Sequence, residues 1–330
     1  MKTAITQTAI TQIEYHLPAR VITNQELESL FPEWPAPKIE EKLGIVTRHI
    51  AADHETSADL ALAAAEKLFA TNGCRREEID YLILCTQTPD YLLPTTACIL
   101  QKRLNLRPNC GALDFNLGCS GYVYGLGMAK GLIETGQATN VLFLTGETYS
   151  KLMRPDDKST RTLFGDAGSA TLLQGQRDGA ASLGPFVYGT DGGGAADLIV
   201  RQGGLRHPGL PLDNSEGLCM EGTRIFNFSV REVAANLDAL LAKSGFSMDE
   251  IDLFIFHQAN RFMLEFLRRK CAIPESKFYQ HYQESGNTVS NTIPIALHHA
   301  MRDQLVKKGS RVALVGFGVG LSWGSCLVKF

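Results

Sequence analysis

The sequence predicts an α/β fold of two halves related by a pseudo-twofold axis, with paired sheets. One observation is an internal repeat: residues 68–84 (LFATNGCRREEIDYLIL) align without a gap on residues 240–256 (LLAKSGFSMDEIDLFIF). A second is that the order of elements continues alike in both halves, a turn after an apolar segment leading into a helix, a glycine and another apolar strand. A third is that the first of these helices is nearly all apolar and rich in glycine. The halves are expected at residues 1–175 and 176–330.

Met1–Gln7 alternates polar and apolar residues and reads as an edge or surface strand, without the apolar core of a signal peptide. Each repeat ends a helical pattern on a glycine, Gly73 or Gly245, a residue that takes a left-handed helix cap without a Cβ clash. After a Glu-Ile-Asp turn come Tyr81–Leu84 and Leu253–Phe256, unbroken apolar runs expected as strands buried on both faces. Leu113–Leu117 then leads through Gly118-Cys119 into a helix ending at Thr135, followed by the strand Val141–Thr145. In the second half Gly286-Asn287 opens a helix expected to reach about Lys308, followed by the strand Val312–Phe317. Gly121, Gly125, Gly127 and Gly131 in the first helix each cost roughly 0.5–1 kcal/mol relative to alanine. Close backbone packing must offset that cost, so the helix is expected between layers. The final glycine-rich segment leads into Ser322–Phe330, which reads as a strand, whereas a dinucleotide loop should open a helix.

With 330 residues, 44 % hydrophobic and 20 % charged, the composition is that of a soluble globular protein. A formal charge of −3 gives no electrostatic case for nucleic acid, and no run approaches the ~20 apolar residues of a membrane span. A cytoplasmic location is the expectation. Cys74, Cys85, Cys98, Cys110, Cys119, Cys219, Cys271 and Cys326 form no C-x-x-C pair, which argues against a disulfide framework and zinc spacing. Most are expected as small buried hydrophobes.

Cys119 stands apart. It lies at the start of the buried helix, where the macrodipole and free N–H groups favour a thiolate. His257 directly follows an apolar strand, and Asn287 is the pseudo-symmetry mate of Cys119. A lone histidine there would ordinarily be a satisfied core residue, but its place before Gln258-Ala259-Asn260 argues for more. A thiol, an imidazole and an amide at converging helix starts suit nucleophilic attack on a thioester carbonyl.

At these residues the chain resembles the β-ketoacyl-acyl-carrier-protein synthase III family. Asp114-Phe115-Asn116-Leu117-Gly118-Cys119-Ser120-Gly121 resembles its nucleophile segment, His257-Gln258-Ala259-Asn260 its histidine motif and Gly286-Asn287-Thr288 with Ser290 its asparagine motif. Phe164–Ala170 and Gly316–Gly324 also fit. The resemblance implies a thiolase-like fold in an αβαβα layered arrangement, a homodimer, and no metal or cofactor beyond the substrates. It further implies ping-pong condensation: Cys119 takes an acyl group from acyl-CoA or an acyl carrier protein, and His257 and Asn287 hold malonyl thioester as carbon dioxide leaves. The backbone N–H groups of Cys119 and Gly320 would form the second oxyanion hole. Leu93 takes the place where the partner subunit lines the acyl pocket. Leu205, with Leu210 and Leu212 in the long segment Asp197–Gly222, is a further pocket candidate.

Some positions depart from the family pattern. Counting from Gly44, the family's adenine-stacking tryptophan site holds Lys38, and counting back from Asp166 the facing arginine site holds Lys158; neither stacks a purine as a planar group does. A carrier-borne starter is therefore open beside acyl-CoA. Arg261 stands one residue before the usual arginine, which is Phe262 here. Arg269 and Lys270 are the implied carrier-protein contacts, or else a solvated helix end. Three other functions fit the same residues: acyl transfer to oxygen or nitrogen, a non-catalytic carrier-binding subunit, and a Cys-His-Asn thiol protease. The last is disfavoured by the apolar setting of Cys119.

Overall fold

The computed structural model describes residues 7–71, 73–176, 181–206 and 217–330. The strand expected at Met1–Gln7 lies outside them except for Gln7, as do Leu210 and Leu212.

Apolar runs become strands where a layer covers each face. Tyr81–Cys85 (β4) lies between Asn140–Glu147 (β6) and Gly111–Phe115 (β5), parallel to both. Ala167–Gln176 (β7) runs antiparallel to β6, and Gln7–His16 (β1) antiparallel to β7, completing the order β1-β7-β6-β4-β5. In the second sheet Leu253–Phe256 (β11) is parallel to Arg311–Gly318 (β12). Ser322–Lys329 (β13) and Ser182–Thr190 (β8) follow antiparallel, in the order β11-β12-β13-β8. Strand for strand this repeats β4-β6-β7-β1, one parallel pair and then two antiparallel ones. The pseudo-twofold relation read from the repeat is thus a relation between sheets.

Helices make the other layers. Ser57–Ala70 (α3) and Thr96–Arg103 (α4) cover the outer face of the first sheet. Ala58, Ala61, Ala64 and Ala65 of α3 are fully buried, small enough to bring the helix close to the sheet. Gly121–Glu134 (α5) and Thr292–Arg302 (α9) lie between the sheets, and Gly222–Ser244 (α7) with Arg261–Lys270 (α8) covers the second sheet. The result is the αβαβα arrangement. A small lobe joins Arg20–Thr23 (β2) and Thr47–Ile50 (β3) around Asn24–Leu30 (α1) and Ala36–Leu43 (α2). The one-turn helix Lys158–Arg161 (α6) and the pair Leu198–Val200 (β9) and Leu218–Met220 (β10) complete the elements. Among the described residues no helix is long and apolar enough to cross a membrane.

The glycines of α5 are packed as expected at three of four positions. A Cβ on Gly125 would lie 2.1 Å from the Phe143 ring, and Gly121 and Gly127 face Cys85 and Tyr188 as tightly, but Gly131 faces open space. Three boundaries differ from expectation. α3 ends at Ala70 on Thr71, so only Gly245 of the two glycines is a left-handed cap, with φ 75°. α9 stops at Arg302 because the chain turns left-handed at Gln304 (φ 58°), so it never reaches Lys308. Asn287 does not open α9: a short 3-10 turn, Val289–Asn291, separates them, with Val289 itself at φ 57°.

Candidate active site

The strand β5 ends at Phe115, and a tight turn in which Gly121 N–H donates to Gly118 C=O (2.7 Å) carries Cys119 to the start of α5. Glycine is required where other segments close on the thiol. A Cβ on Gly118 would lie 2.4 Å from Gln87 Oε1, and one on Gly318 would lie 3.0 Å from Cys119 Sγ. Cys119 is 6 % exposed. Burial pushes its thiol far above the ordinary value, and the nearby Glu147 adds to the rise. The thiolate expected from the helix dipole is therefore not the resting form; desolvation outweighs the dipole at this depth.

His257 is fixed by its position after β11, where its N–H donates to Val315 C=O (2.7 Å). Its ring stands edge-on to Phe317, centroids 5.5 Å apart, and Nδ1 lies 2.7 Å from Thr292 Oγ1. Burial lowers its pKa to about 3, so it is neutral at ordinary pH. Asn287 is held by its backbone against the segment before β7: its N–H donates to Leu163 C=O and its C=O accepts from Gly165 N–H. Gly286 before it has φ 69°, and a Cβ there would lie 2.9 Å from Leu163 O. Asn287 Oδ1 accepts from Val289 N–H (2.9 Å), which turns Nδ2 toward His257 Nε2, 3.4 Å away. Two neutral side chains thus present adjacent nitrogens in a buried space. Consecutive residues of β12 join them to the thiol, Phe317 against the imidazole and Gly318 against Cys119. After β12, Val319 packs on Gly118, and Gly320 follows with φ 142°.

A cleft of about 990 Å³ gathers Arg261, Arg269 and Lys270 of α8 with Lys42 and Trp34. Trp34, just before α2, also lines this cleft and was not singled out in the sequence. Lys38 holds its ammonium 5.4 Å above the Trp34 ring, and Lys158 pairs with the adjacent Glu33 at 2.9 Å. Phe262 also lines the cleft and stacks on Phe226. Leu93 and Leu205 are both exposed, 82 % and 84 %, so neither belongs to this chain's own core. Glu147, wholly buried at the end of β6, was not singled out in the sequence; the signal was a carboxylate closing an apolar strand. Among the described residues no cluster of three or more His, Cys, Asp or Glu could hold a metal ion.

The two layered sheets enclosing buried helices make this a thiolase-like protein. Residues 113–192 match the family described as 3-Oxoacyl-[acyl-carrier-protein (ACP)] synthase III, and residues 241–330 its C-terminal family. The chain is 35 % identical over 321 residues to a beta-ketoacyl-[acyl-carrier-protein] synthase III of Caldanaerobacter subterraneus subsp. tengcongensis, covering 96 % of this chain and 95 % of that protein. A solved 3-oxoacyl-(acyl-carrier-protein) synthase III superposes with TM-score 0.96 at 50 % identity, covering 98 % of this chain and 100 % of the other. A 3-oxoacyl-(acyl-carrier protein) synthase from Burkholderia xenovorans superposes with TM-score 0.91 at 37 % identity, covering 98 % and 94 %. The chain belongs to the 3-oxoacyl-[acyl-carrier-protein] synthase III family of condensing enzymes. Neither transfer to oxygen or nitrogen nor a non-catalytic role is favoured by these relatives.

Proposed function

We propose that Cys119 carries the acyl group and that His257 and Asn287 stabilise the enolate formed from malonyl-acyl carrier protein. The observation that carries this reading is the buried pair of neutral nitrogens, 3.4 Å apart, with the amide orientation fixed by Val289 N–H. In the first half-reaction the Cys119 sulfur bonds to the donor carbonyl carbon. The donor's C–S bond breaks, and its thiolate leaves with the proton given up by Cys119. In the second, the bond between the malonyl carboxylate and its α-carbon breaks, carbon dioxide departs, and the electron pair forms an enolate. Asn287 Nδ2–H and His257 Nε2–H donate to the enolate oxygen, the histidine once the Thr292 hydroxyl has turned to donate to Nδ1. A charge developing where water is excluded is the case in which such donors matter most. The enolate carbon then attacks the acyl carbonyl, the backbone N–H groups of Cys119 and Gly320 hold the resulting oxyanion, and its collapse expels Cys119.

Acyl carrier protein is the partner, received at Arg261, Arg269 and Lys270, with Trp34, Lys38 and Lys158 at the same mouth. The donor is either an acyl-CoA or a carrier-borne acyl group. The working unit is a homodimer in which Leu93 reaches the other copy's acyl pocket; Leu205 is the second pocket residue. Intact-protein mass after incubation with a panel of acyl-CoA and acyl-carrier-protein donors tests the reading. One acyl group mapped to Cys119 and lost in Cys119→Ala is expected, with labelled carbon dioxide released from malonyl thioester. Loading that survives the substitution removes Cys119 from the role.

A further inference from the structure

Glu147 ends an apolar strand with no exposed surface, and the hydrogen-bond partners of its carboxyl group are neutral. Gln87 N–H donates to Oε2 at 3.1 Å and the Thr88 hydroxyl at 3.3 Å, while the Ser290 hydroxyl donates to Oε1 at 2.9 Å. These partners belong to two different segments of the proposed centre. Gln87 Nε2 donates to Asn116 Oδ1 (3.1 Å), and its Oε1 takes the Tyr149 hydroxyl and presses on Gly118, the residue before Cys119. Ser290 sits in the turn that follows Asn287. One carboxyl therefore clamps the nucleophile segment to the asparagine segment across the seam between the halves.

Among the described residues the titratable groups that act on it are Cys85 of β4, Cys119, Tyr149 and Asp166, all of them acids. A neutral acid keeps the clamp, because the Ser290 hydroxyl can turn to accept the carboxyl O–H. An ionised one would place a second negative charge beside the Cys119 thiolate and beside any oxyanion formed there. We infer that Glu147 is a positioning residue that works as the neutral acid, and that its ionisation opposes acyl loading of Cys119. This rests on the reading of Cys119 as nucleophile. Burial pushes the Glu147 carboxyl up to about 8, so the change falls within reach of a rate measurement.

The test is the rate of acyl loading, followed by intact mass between about pH 7 and about pH 9 with hydrolysis of the donor subtracted. Thiol deprotonation alone raises the rate about tenfold per pH unit, and an opposing ionisation at about pH 8 levels it off. Over that range the wild type gains about tenfold, whereas Glu147→Gln, which cannot ionise, gains about a hundredfold. A merely structural role leaves this ratio unmoved. Ser290→Ala is the companion variant: it takes away a hydrogen-bond partner of the carboxyl group, so the pH at which levelling begins moves away from that of the wild type. Equal ratios in all three proteins, with the adduct still on Cys119, overturn this inference alone. An adduct on another residue overturns the nucleophile reading and this inference with it.

Discussion

The Thr292 hydroxyl lies 2.7 Å from His257 Nδ1 and donates its own proton to the Val289 carbonyl, 3.0 Å away. A hydroxyl has one proton to give, so in this arrangement Nδ1 carries the imidazole proton and Nε2 presents a lone pair to Asn287. Donation from Nε2 to an enolate requires the hydroxyl to turn. Thr292→Val, which keeps the shape but cannot donate, is expected to slow carbon dioxide release from malonyl thioester roughly tenfold to a hundredfold, short of the ~10²–10³ for losing an oxyanion donor outright. Acyl loading should change less than about threefold, since it makes no use of that proton. Equal losses in both half-reactions would argue against a tautomer role.

Gly125→Ala tests the packing between layers. Alanine is intrinsically the better helix former by about 1 kcal/mol. Here its Cβ would sit 2.1–2.7 Å from three atoms of the fully buried Phe143 ring, which itself stacks on Tyr122. Overpacking of this kind costs about 1–3 kcal/mol. The expected sign is therefore a lower urea midpoint, and a midpoint raised by the substitution would show that β6 yields easily.

His257 also links stability to acid. Its folded pKa of about 3 lies below the ordinary 6.5, so the native state holds it neutral while the unfolded chain takes up a proton. Its contribution is complete above about pH 6.5 and is lost as pH falls toward about 3, amounting to about 3 kcal/mol by pH 4. Unfolding of wild type and His257→Gln, each compared at about pH 7 and about pH 4.5, should show a smaller acid loss in the variant. Identical losses would mean that the buried imidazole is not protonated on unfolding as this linkage requires.

Trp34, in the cleft lining, offers a test between the two classes of acyl donor. Stacking of a base on an aromatic ring is worth ~1–3 kcal/mol. Trp34→Ala should raise KM for an acyl-CoA donor roughly tenfold and leave a carrier-borne donor nearly unchanged. A uniform rise for both donors would instead assign Trp34 to the shape of the cleft mouth.

How far the sequence spoke for itself depends on how local each signal is. Leu253–Phe256 was legible to the residue because four consecutive apolar side chains with both faces covered fit little else, and His257 came with it. The repeat made the two sheets legible as a pair. Asn287 was legible as a candidate but its setting was not, since the turn at Val289 relies on a left-handed valine that no sequence pattern marks. Trp34 was not legible, since its place in the cleft depends on how α2 packs beside α8. The thiolate expected at Cys119 failed because a helix start announces its dipole in sequence, while the burial that overrides it belongs to the tertiary structure. Glu147 was hidden for the same reason: the apolar strand it closes was plain, and the neutral partners across the seam were not.

The adjacency of Phe317 and Gly318 on β12 sets how this centre can vary. One residue faces the imidazole and the next faces the thiol, and the strand is locked on both sides, Val315 opposite Phe256 and Gly318 opposite Ser322. Sliding β12 by a single position would put phenylalanine where only glycine fits and withdraw the ring from the histidine at the same stroke. The strand is thus a common datum for thiol and imidazole, and any change in its register moves the surroundings of both at once.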